Sequence, residues 1–97
     1  MTAAVPTVQI DNDRIRVTEW RFARGAATGW HRHEYAYVVV PGTTGTLKIV
    51  HPDGSETLSE LTAGVSYYRD AGVEHDVINR GEGELRFVEV ELKGRPG

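Results

Sequence analysis

The sequence contains two histidines separated by one residue, a pattern that is suited to binding a metal ion. His31 and His33 lie in the segment 29–40, which otherwise has the pattern of a β-strand. Side chains at i and i+2 of a strand leave the same face, so the two imidazoles would point into one space. His75 lies far downstream, in another segment of strand character. We therefore expect the chain to fold so that His31, His33 and His75 meet around one metal ion.

Short strands separated by turns are the elements that must position these histidines. Apolar and polar residues alternate with a period of two, and turn residues interrupt them, as in the segment 51–55. No stretch shows the helical period over about ten residues. About eight to ten strands at this spacing are typical of an all-β sandwich or barrel. We expect one domain over residues 1–97, with residues 1–5 as a loose arm and residues 93–97 as a frayed tail.

One predicted strand changes phase along its length. Its apolar residues stand first at odd-numbered positions, Ile15 and Val17, and then at even-numbered positions, Trp20 and Phe22, so a regular strand would place the two pairs on opposite faces. Such a change predicts either a β-bulge or a strand that is buried on both faces at different places. The sequence leaves both alternatives open.

Composition and charge exclude several classes of function. The net charge is −3 and the basic residues form no run, so the chain lacks the electrostatic pattern of a nucleic-acid-binding protein. There is no cysteine, which excludes both disulfides and thiolate metal ligands. The N-terminal segment does not have the pattern of a signal peptide, and no apolar run approaches the roughly 20 residues that span a membrane. We expect a cytoplasmic protein that binds neither nucleic acid nor membrane.

The spacing of glycines and histidines resembles the two conserved motifs of the cupin superfamily. The first motif has a glycine, five residues and His-x-His, followed by a glutamate and a glycine, and it corresponds to residues 25–45. The second motif has a glycine, five residues, Pro-x-Gly, two residues, His, three residues and Asn, and it corresponds to residues 64–79. The matching residues are Gly25, His31, His33, Gly45, Gly64, Gly72, His75 and Asn79. Together the motifs extend over more than half of the chain.

The chain departs from this family pattern at two positions. The proline of the second motif is Asp70 here, which is a conservative change for a turn. The glutamate of the first motif falls at Tyr37 when counted from His33, and at Val38 when counted back from the motif's final glycine. Neither residue is a carboxylate. The expected metal ligands are therefore three histidines, with the remaining coordination positions open to water or substrate.

The resemblance implies a double-stranded β-helix (jelly-roll) barrel that binds one divalent transition metal per chain through His31, His33 and His75. Three imidazoles suit iron, zinc, nickel, copper or manganese and do not select among them. Three-histidine cupins that cleave β-diketones with iron and dioxygen are the nearest chemical precedent. The segments 17–22 and 29–33 also resemble small cupins assigned to β-alanine degradation.

Other polar and aromatic residues have simpler expected roles. Tyr37 is a possible pocket residue or a core residue, His51 is expected to be a solvated loop residue, and Asn79 to cap a turn. Glu89 and Glu91 share one face of the last strand, and we expect them to be exposed rather than partners of a ligating histidine. Core or dimer contacts are expected from Trp20, Phe22, Trp30 and Phe87.

Our leading functional hypothesis is a small metalloenzyme that acts on a small carbonyl or carboxylate compound by a dioxygenase-like reaction. An isomerase or hydrolase is the second enzymatic possibility. The alternative is a non-catalytic cupin that binds or senses a small ligand. Because of the family resemblance and the exposed strand edges that it implies, we also expect a homodimer.

Overall fold

The computed structural model describes residues 2–94, which form nine β-strands in two sheets packed face to face. Numbered in chain order, the strands are β1 (Val5–Asp11), β2 (Ile15–Phe22), β3 (His31–Arg32), β4 (Ala36–Pro41), β5 (Gly45–Val50), β6 (Glu56–Leu61), β7 (Tyr67–Arg69), β8 (Glu74–Asn79) and β9 (Leu85–Leu92). The predicted number of strands and the all-β class are confirmed. Among these residues no helix is long and apolar enough to cross a membrane.

The two sheets have the strand orders β1-β2-β9-β4-β7 and β3-β8-β5-β6. All strand pairs within them are antiparallel. The chain crosses from one sheet to the other at several connections, and the result is the double-stranded β-helix that the resemblance implied. The short strands β3 and β7 are edge strands of different sheets, and β6 is the other edge strand of the sheet that contains β3.

The space between the sheets is filled by inward-facing apolar side chains. In β9, Leu85 and Phe87 are 2% and 5% exposed, while their chain neighbours face outward. Side chains alternate between the two faces of a strand, so each strand contributes every second residue to the core. The core consists of Ala4, Phe22, Ala26, Tyr37, Val39, Leu47, Leu61, Val77, Leu85 and Phe87.

The phase change in β2 is explained by burial on both faces. β2 pairs with β9 in one continuous register from Ile15–Leu92 to Phe22–Leu85, without a bulge. Phe22 is fully buried on the inner face, and Val17 is 9% exposed on the outer face. The irregularity of this sheet lies instead in β1, between Val8 and Ile10.

A row of apolar side chains crosses the outer face of the five-stranded sheet. The row consists of Tyr68, Val38, Val90, Val17 and Ile10, each of which is the register partner of the next. Tyr68 and Ile10, at its two ends, are 52% and 45% exposed. We call it the outer apolar row.

Both chain ends are held more firmly than the sequence indicated. The backbone N–H of Ala4 donates to the carbonyl of Ala27 at 2.8 Å, and Ala4 is buried. The backbone N–H groups of Lys93 and Gly94 both donate to the carbonyl of Arg14. The predicted loose arm and frayed tail are therefore wrong for residues 2–5 and 93–94. Residues 1 and 95–97 of those predictions lie outside the described part of the chain.

Asn79, at the end of β8, joins three segments of the chain. Its side-chain amide donates to the carbonyls of Phe22, Ala23 and Gly83 at 2.8–3.3 Å, and its Oδ1 accepts from the backbone N–H of Gly81 at 2.9 Å. Asn79 is 2% exposed, so these hydrogen bonds are shielded from water. The predicted turn cap is confirmed.

Candidate metal centre

The structure brings His31, His33 and His75 together between the two sheets. The Nε2 atom of His33 lies 3.1 Å from that of His31 and 3.2 Å from that of His75. One ring nitrogen of each histidine lies within 4.8 Å of those of the other two. His33 and His75 are 7% and 8% exposed, and His31 is half-buried. The three histidines singled out by their spacing therefore form one cluster.

Backbone pairing between β3 and β8 produces this convergence. His31 and His75 are direct partners in the antiparallel register, so their side chains leave the same face. His33 follows β3, where its N–H donates to the carbonyl of Val73 and its carbonyl accepts from the N–H of Gly72. Gly72 has a φ of +94°, which a residue with a side chain rarely adopts, and its turn places this N–H opposite His33.

The tautomer of His31 is set by a neighbouring carbonyl. Its Nδ1 lies 2.9 Å from the backbone oxygen of Gly29. A carbonyl oxygen only accepts hydrogen bonds, so Nδ1 carries the proton and Nε2 keeps its lone pair for the cluster. Gly29 itself has a φ of +83°. Support of this kind for a ligating histidine is common in metal sites.

The spacing of the three Nε2 atoms fits a divalent transition metal. Donor atoms bound at about 2.0–2.1 Å lie about 3.0 Å apart at a right angle and about 3.4 Å apart at a tetrahedral angle. The two Nε2 separations of 3.1 and 3.2 Å lie between these limits. His33 is thus spaced from both His31 and His75 as two ligands of one divalent ion are spaced from each other.

Burial keeps two of these imidazoles neutral. The pKa of His33 is lowered to about 4, first by burial and then by the proximity of His31, with Glu91 opposing the shift. The pKa of His75 is lowered to about 3 by burial, then by His31 and His33. Neutral imidazole is the form that coordinates metals, so both rings are in the ligating state at neutral pH.

Tyr37 occupies the inward position where the family motif has its glutamate. Its ring stacks on that of His33 with the centroids 3.9 Å apart, and it is 3% exposed. Val38 faces outward, in the outer apolar row, so it does not face the histidines. Burial and then Glu89 raise the pKa of Tyr37, which keeps the phenol neutral. Tyr37 is therefore both a core residue and a residue of the site.

Glu89 and Glu91 are buried, so the prediction that they are exposed is wrong. They are 8% and 6% exposed, and each has a carboxylate oxygen within 4.8 Å of a ring nitrogen of His33. The sequence contains a signal for this burial. Leu85, Phe87, Glu89 and Glu91 are alternate residues of β9, so the two glutamates share a face with the two core residues. Charge alone favours exposure, because glutamate is seldom fully buried, but the alternation of the strand decides the outcome here.

The two buried carboxylates have different partners. Glu91 accepts two hydrogen bonds from the Arg16 guanidinium, at 2.7 and 2.9 Å. A pair of parallel bonds of this kind neutralises the carboxylate and fixes its orientation. Burial, followed by the negative charge of Glu91, raises the pKa of Glu89 to about 7, against the opposing effects of Trp20 and Arg16. Glu89 is thus a carboxyl group with no ion-pair partner of its own among residues 2–94.

The histidine cluster lies between two cavities. A cavity of about 310 Å³ contains His31 and His33 together with the acidic residues Glu34, Glu89 and Glu91. A cavity of about 590 Å³ on the other side contains His75. A central space of about 30 Å³ between them is lined by His31, His75, Tyr37 and Glu89, among others. Both cavities are thus lined by residues of the cluster, and the smaller one holds three carboxyl groups together with the guanidiniums of Arg16 and Arg32.

The structure also tests the predictions for His51, for the aromatic core residues and for Trp30. His51 is half-buried, hydrogen-bonds the Thr57 hydroxyl at 2.8 Å and lines the larger cavity, so it is not simply a solvated loop residue. Phe22 and Phe87 belong to the core, and Trp20 packs against it. Trp30 is 51% exposed, and its indole N–H donates to Glu74, so it is not a core residue.

Known proteins with similar sequences and folds agree with this description. Residues 18–91 match the Cupin domain family. The beta-alanine degradation protein BauB of Pseudomonas aeruginosa strain PAO1 is 58% identical over 90 residues, which are 93% of this chain and 94% of BauB. A cupin domain from Bordetella pertussis Tohama I is also 58% identical, with a TM-score of 0.92 over 96% of both chains.

A more distant solved structure shares the fold alone. The polyketide cyclase RemF from Streptomyces resistomycificus is 22% identical, with a TM-score of 0.72 over 99% of this chain and 71% of that chain. Taken with the family match and the two relatives at 58% identity, the conclusion is plain: this chain belongs to the cupin family.

Proposed function

We propose that this cupin is a small metalloenzyme with one divalent transition metal held by His31, His33 and His75. The observation that carries the proposal is the convergence of three Nε2 atoms at separations of 3.1 and 3.2 Å. When bound, the ion would supply Lewis-acid or redox chemistry at its open positions. Iron, zinc, nickel, copper and manganese all suit this donor set.

The chain's own residues prepare the site for an anionic substrate. Three imidazole ligands add no negative charge to that of the ion, so the ligands themselves leave its positive charge unreduced. A carboxylate or an enolate would be attracted to it. Tyr37 limits the movement of the His33 ring by stacking on it, and Gly29 does the same for His31 by accepting its Nδ1–H. The reaction that we favour is a dioxygenase-like step on a small carbonyl or carboxylate compound.

The relationship to BauB supports this class of substrate. That protein is named for β-alanine degradation, and 58% identity over nearly the whole length supports a related role for this chain. β-Alanine is itself a three-carbon carboxylate, which is smaller than either cavity. We therefore propose short carboxylates and their carbonyl derivatives as substrates.

Oxygen uptake by the metal-loaded protein tests the proposed activity. Protein loaded anaerobically with Fe(II), and separately with Zn(II), Ni(II), Cu(II) or Mn(II), is mixed with three-carbon carboxylates and β-dicarbonyl compounds. Consumption of dioxygen in proportion to substrate, lost in His33→Ala, would support a dioxygenase. Conversion without dioxygen would instead identify an isomerase or hydrolase. Binding without conversion in every metal form would refute the enzyme and favour the ligand-binding cupin.

We further propose that the protein is a homodimer that pairs through the outer apolar row. Tyr68 and Ile10, at the two ends of this row, are 52% and 45% exposed, and β1, which carries Ile10, is exposed along all seven residues. An apolar face next to an exposed edge strand is a typical contact surface between copies of one chain. A twofold axis would place the same row of each copy against the other.

Size-exclusion chromatography with light scattering gives the molar mass in solution and so tests the proposed dimer. Wild-type protein should have the mass of two 10.7 kDa chains. Ile10→Lys and Val40→Lys place a charge on the outer face and should give monomers. Leu58→Lys is the matched control, because Leu58 is 60% exposed but lies on the other sheet. A wild-type monomer, or dimers that persist in both outer-face variants, would contradict the proposal.

A further inference from the structure

The larger of the two cavities has a composition that the metal site alone does not explain. It lies between the edge strands β6 and β7, where the two sheets separate, and has a volume of about 590 Å³. We call it the seam cavity. Its lining includes Arg69, Thr57, Ser59, His51 and His75. A guanidinium and two hydroxyl groups thus share one space with a residue of the histidine cluster.

Arg69 lies on the inner face of the edge strand β7, and its side chain remains exposed to solvent. It is the cross-strand partner of Tyr37, which faces inward, so its side chain leaves the inner face of the sheet. The guanidinium lies over the Tyr67 ring, with Cζ 4.4 Å from the centroid, and Nη1 donates to the carbonyl of Tyr68 at 2.9 Å. These contacts hold the group in place while most of its five N–H donors remain available.

No carboxylate within residues 2–94 forms an ion pair with Arg69. Arg16, at the other cavity, is by contrast already paired with Glu91. Glu74 also lines the seam cavity, but its Oε1 accepts from the Trp30 indole at 3.2 Å. Arg69 is therefore the guanidinium that lines the seam cavity, and among residues 2–94 no carboxylate pairs with it.

We propose that the seam cavity is a carboxylate-binding site, in which Arg69 binds the carboxylate of a short aliphatic acid and directs its other end toward the histidine cluster. A guanidinium matches a carboxylate with two parallel hydrogen bonds. The Ser59 hydroxyl adds a donor on the opposite wall, beside the Thr57 hydroxyl, which is hydrogen-bonded with His51. The cavity beyond His31 and His33 is lined by the three carboxyl groups of Glu34, Glu89 and Glu91 and by the guanidiniums of Arg16 and Arg32, of which Arg16 is already paired with Glu91.

The geometry also limits the length of the ligand. Arg69 is opposite Tyr37, and Tyr37 stacks on His33, so a single aromatic residue separates the anchor from the cluster. A chain of a few carbon atoms spans that distance, whereas a long acid would extend out between β6 and β7. Short aliphatic acids are thus the substrate class of the proposed function, and their conversion at this site depends on that function.

Binding of propionate to ¹⁵N-labelled protein tests this inference without an activity assay. Titrations are followed by backbone amide shifts at Gly72 and Val73, both of which line the seam cavity. Propionamide is the uncharged control ligand. Arg69→Gln removes the anchor, Arg69→Lys keeps the charge, and Arg86→Gln is a control, since Arg86 lies on the outer face of β9 and pairs with Glu84. Each titration is done on zinc-loaded and on metal-free protein.

We expect propionate to shift these amides in the wild type and in Arg86→Gln, and to bind about 10- to 100-fold more weakly in Arg69→Gln. Arg69→Lys should be intermediate, and propionamide should not distinguish the variants. The proposal would be overturned if wild type and Arg69→Gln bind propionate equally well, or if propionate does not bind. It would also be overturned if the shifts are confined to the cavity that contains Glu34 and Glu89. If zinc does not bind but the dependence on Arg69 persists in metal-free protein, the proposed function fails and the carboxylate site stands.

Discussion

Alanine at His31, at His33 or at His75 should each abolish stoichiometric metal binding, whereas alanine at His51 should leave it intact. Each of the three residues supplies one of three donors, and two imidazoles bind a divalent ion far more weakly than three. His51 lines the seam cavity, and its Nε2 is engaged with Thr57 rather than with the cluster. We expect affinity to fall by about 100-fold or more in each of the three variants, since changes to the supporting residues alone cost about 10- to 100-fold.

Mass spectrometry of untagged protein, after reconstitution with each candidate metal and removal of the excess, gives the metal content. Near one ion per wild-type chain, retained in His51→Ala, is the expected result. Because His33 and His75 are buried, thermal melting of each metal-free variant must show that the fold survives. Full metal content in any one of the three cluster variants would remove that histidine from the ligand set. A metal-free wild type after reconstitution would contradict the metal site.

Glu89→Gln should stabilise the metal-free protein at alkaline pH and have little effect on it in acid. Glutamine has nearly the shape of a protonated glutamate but never ionises. In the folded protein the pKa of Glu89 is raised from 4.5 to about 7, mainly by burial. Folding therefore favours the protonated form, and the wild type loses stability relative to the variant as the pH rises from 4.5 to 7. Above that range the difference should level off at about 3 kcal/mol.

Thermal melts at pH 4.5 and pH 8.5 with a chelator present measure this difference. In a domain of this size the variant should melt about 10–20 °C higher than the wild type at pH 8.5, and close to it at pH 4.5. His33 and His75 also titrate abnormally, but they are present in both proteins and cancel in the comparison. Glu82→Gln is the matched control, because Glu82 is exposed. A stability difference that is the same at both pH values would rule out an ionising buried Glu89.

The sequence predicted the fold and the histidine cluster because both follow from short-range pattern. Alternation and turn residues define strands, and the spacing of glycines and histidines carries the resemblance to the two cupin motifs, which implies that the three histidines meet. The motif glycines illustrate this, since Gly25, Gly64 and Gly72 all adopt positive φ in the structure. These features are local, so they can be read along the chain without knowing which strands are neighbours.

The surroundings of the cluster depend on neighbours that are distant in the chain, which explains why they were not predicted. Glu91 is buried because β9 is central in its sheet and because Arg16 of β2 lies directly opposite it. His51 and Arg69 enter the same cavity only because β6 and β7 are edge strands of facing sheets. The alternation within β9 does indicate which face Glu91 shares with Leu85 and Phe87, but its pairing with Arg16 and the cavity shared by His51 and Arg69 cannot be read from one strand alone.

The pairing of β3 with β8 has a consequence for folding as well as for chemistry. His33 and His75 are 42 residues apart in sequence, and the chain has no cysteine. An ion shared by these residues would close a long loop, as a disulfide does in secreted domains of this size. It would also fasten β3, which has only two residues and lies at a sheet edge. Metal supply would then set how much of the protein stays folded, in addition to how much of it is active.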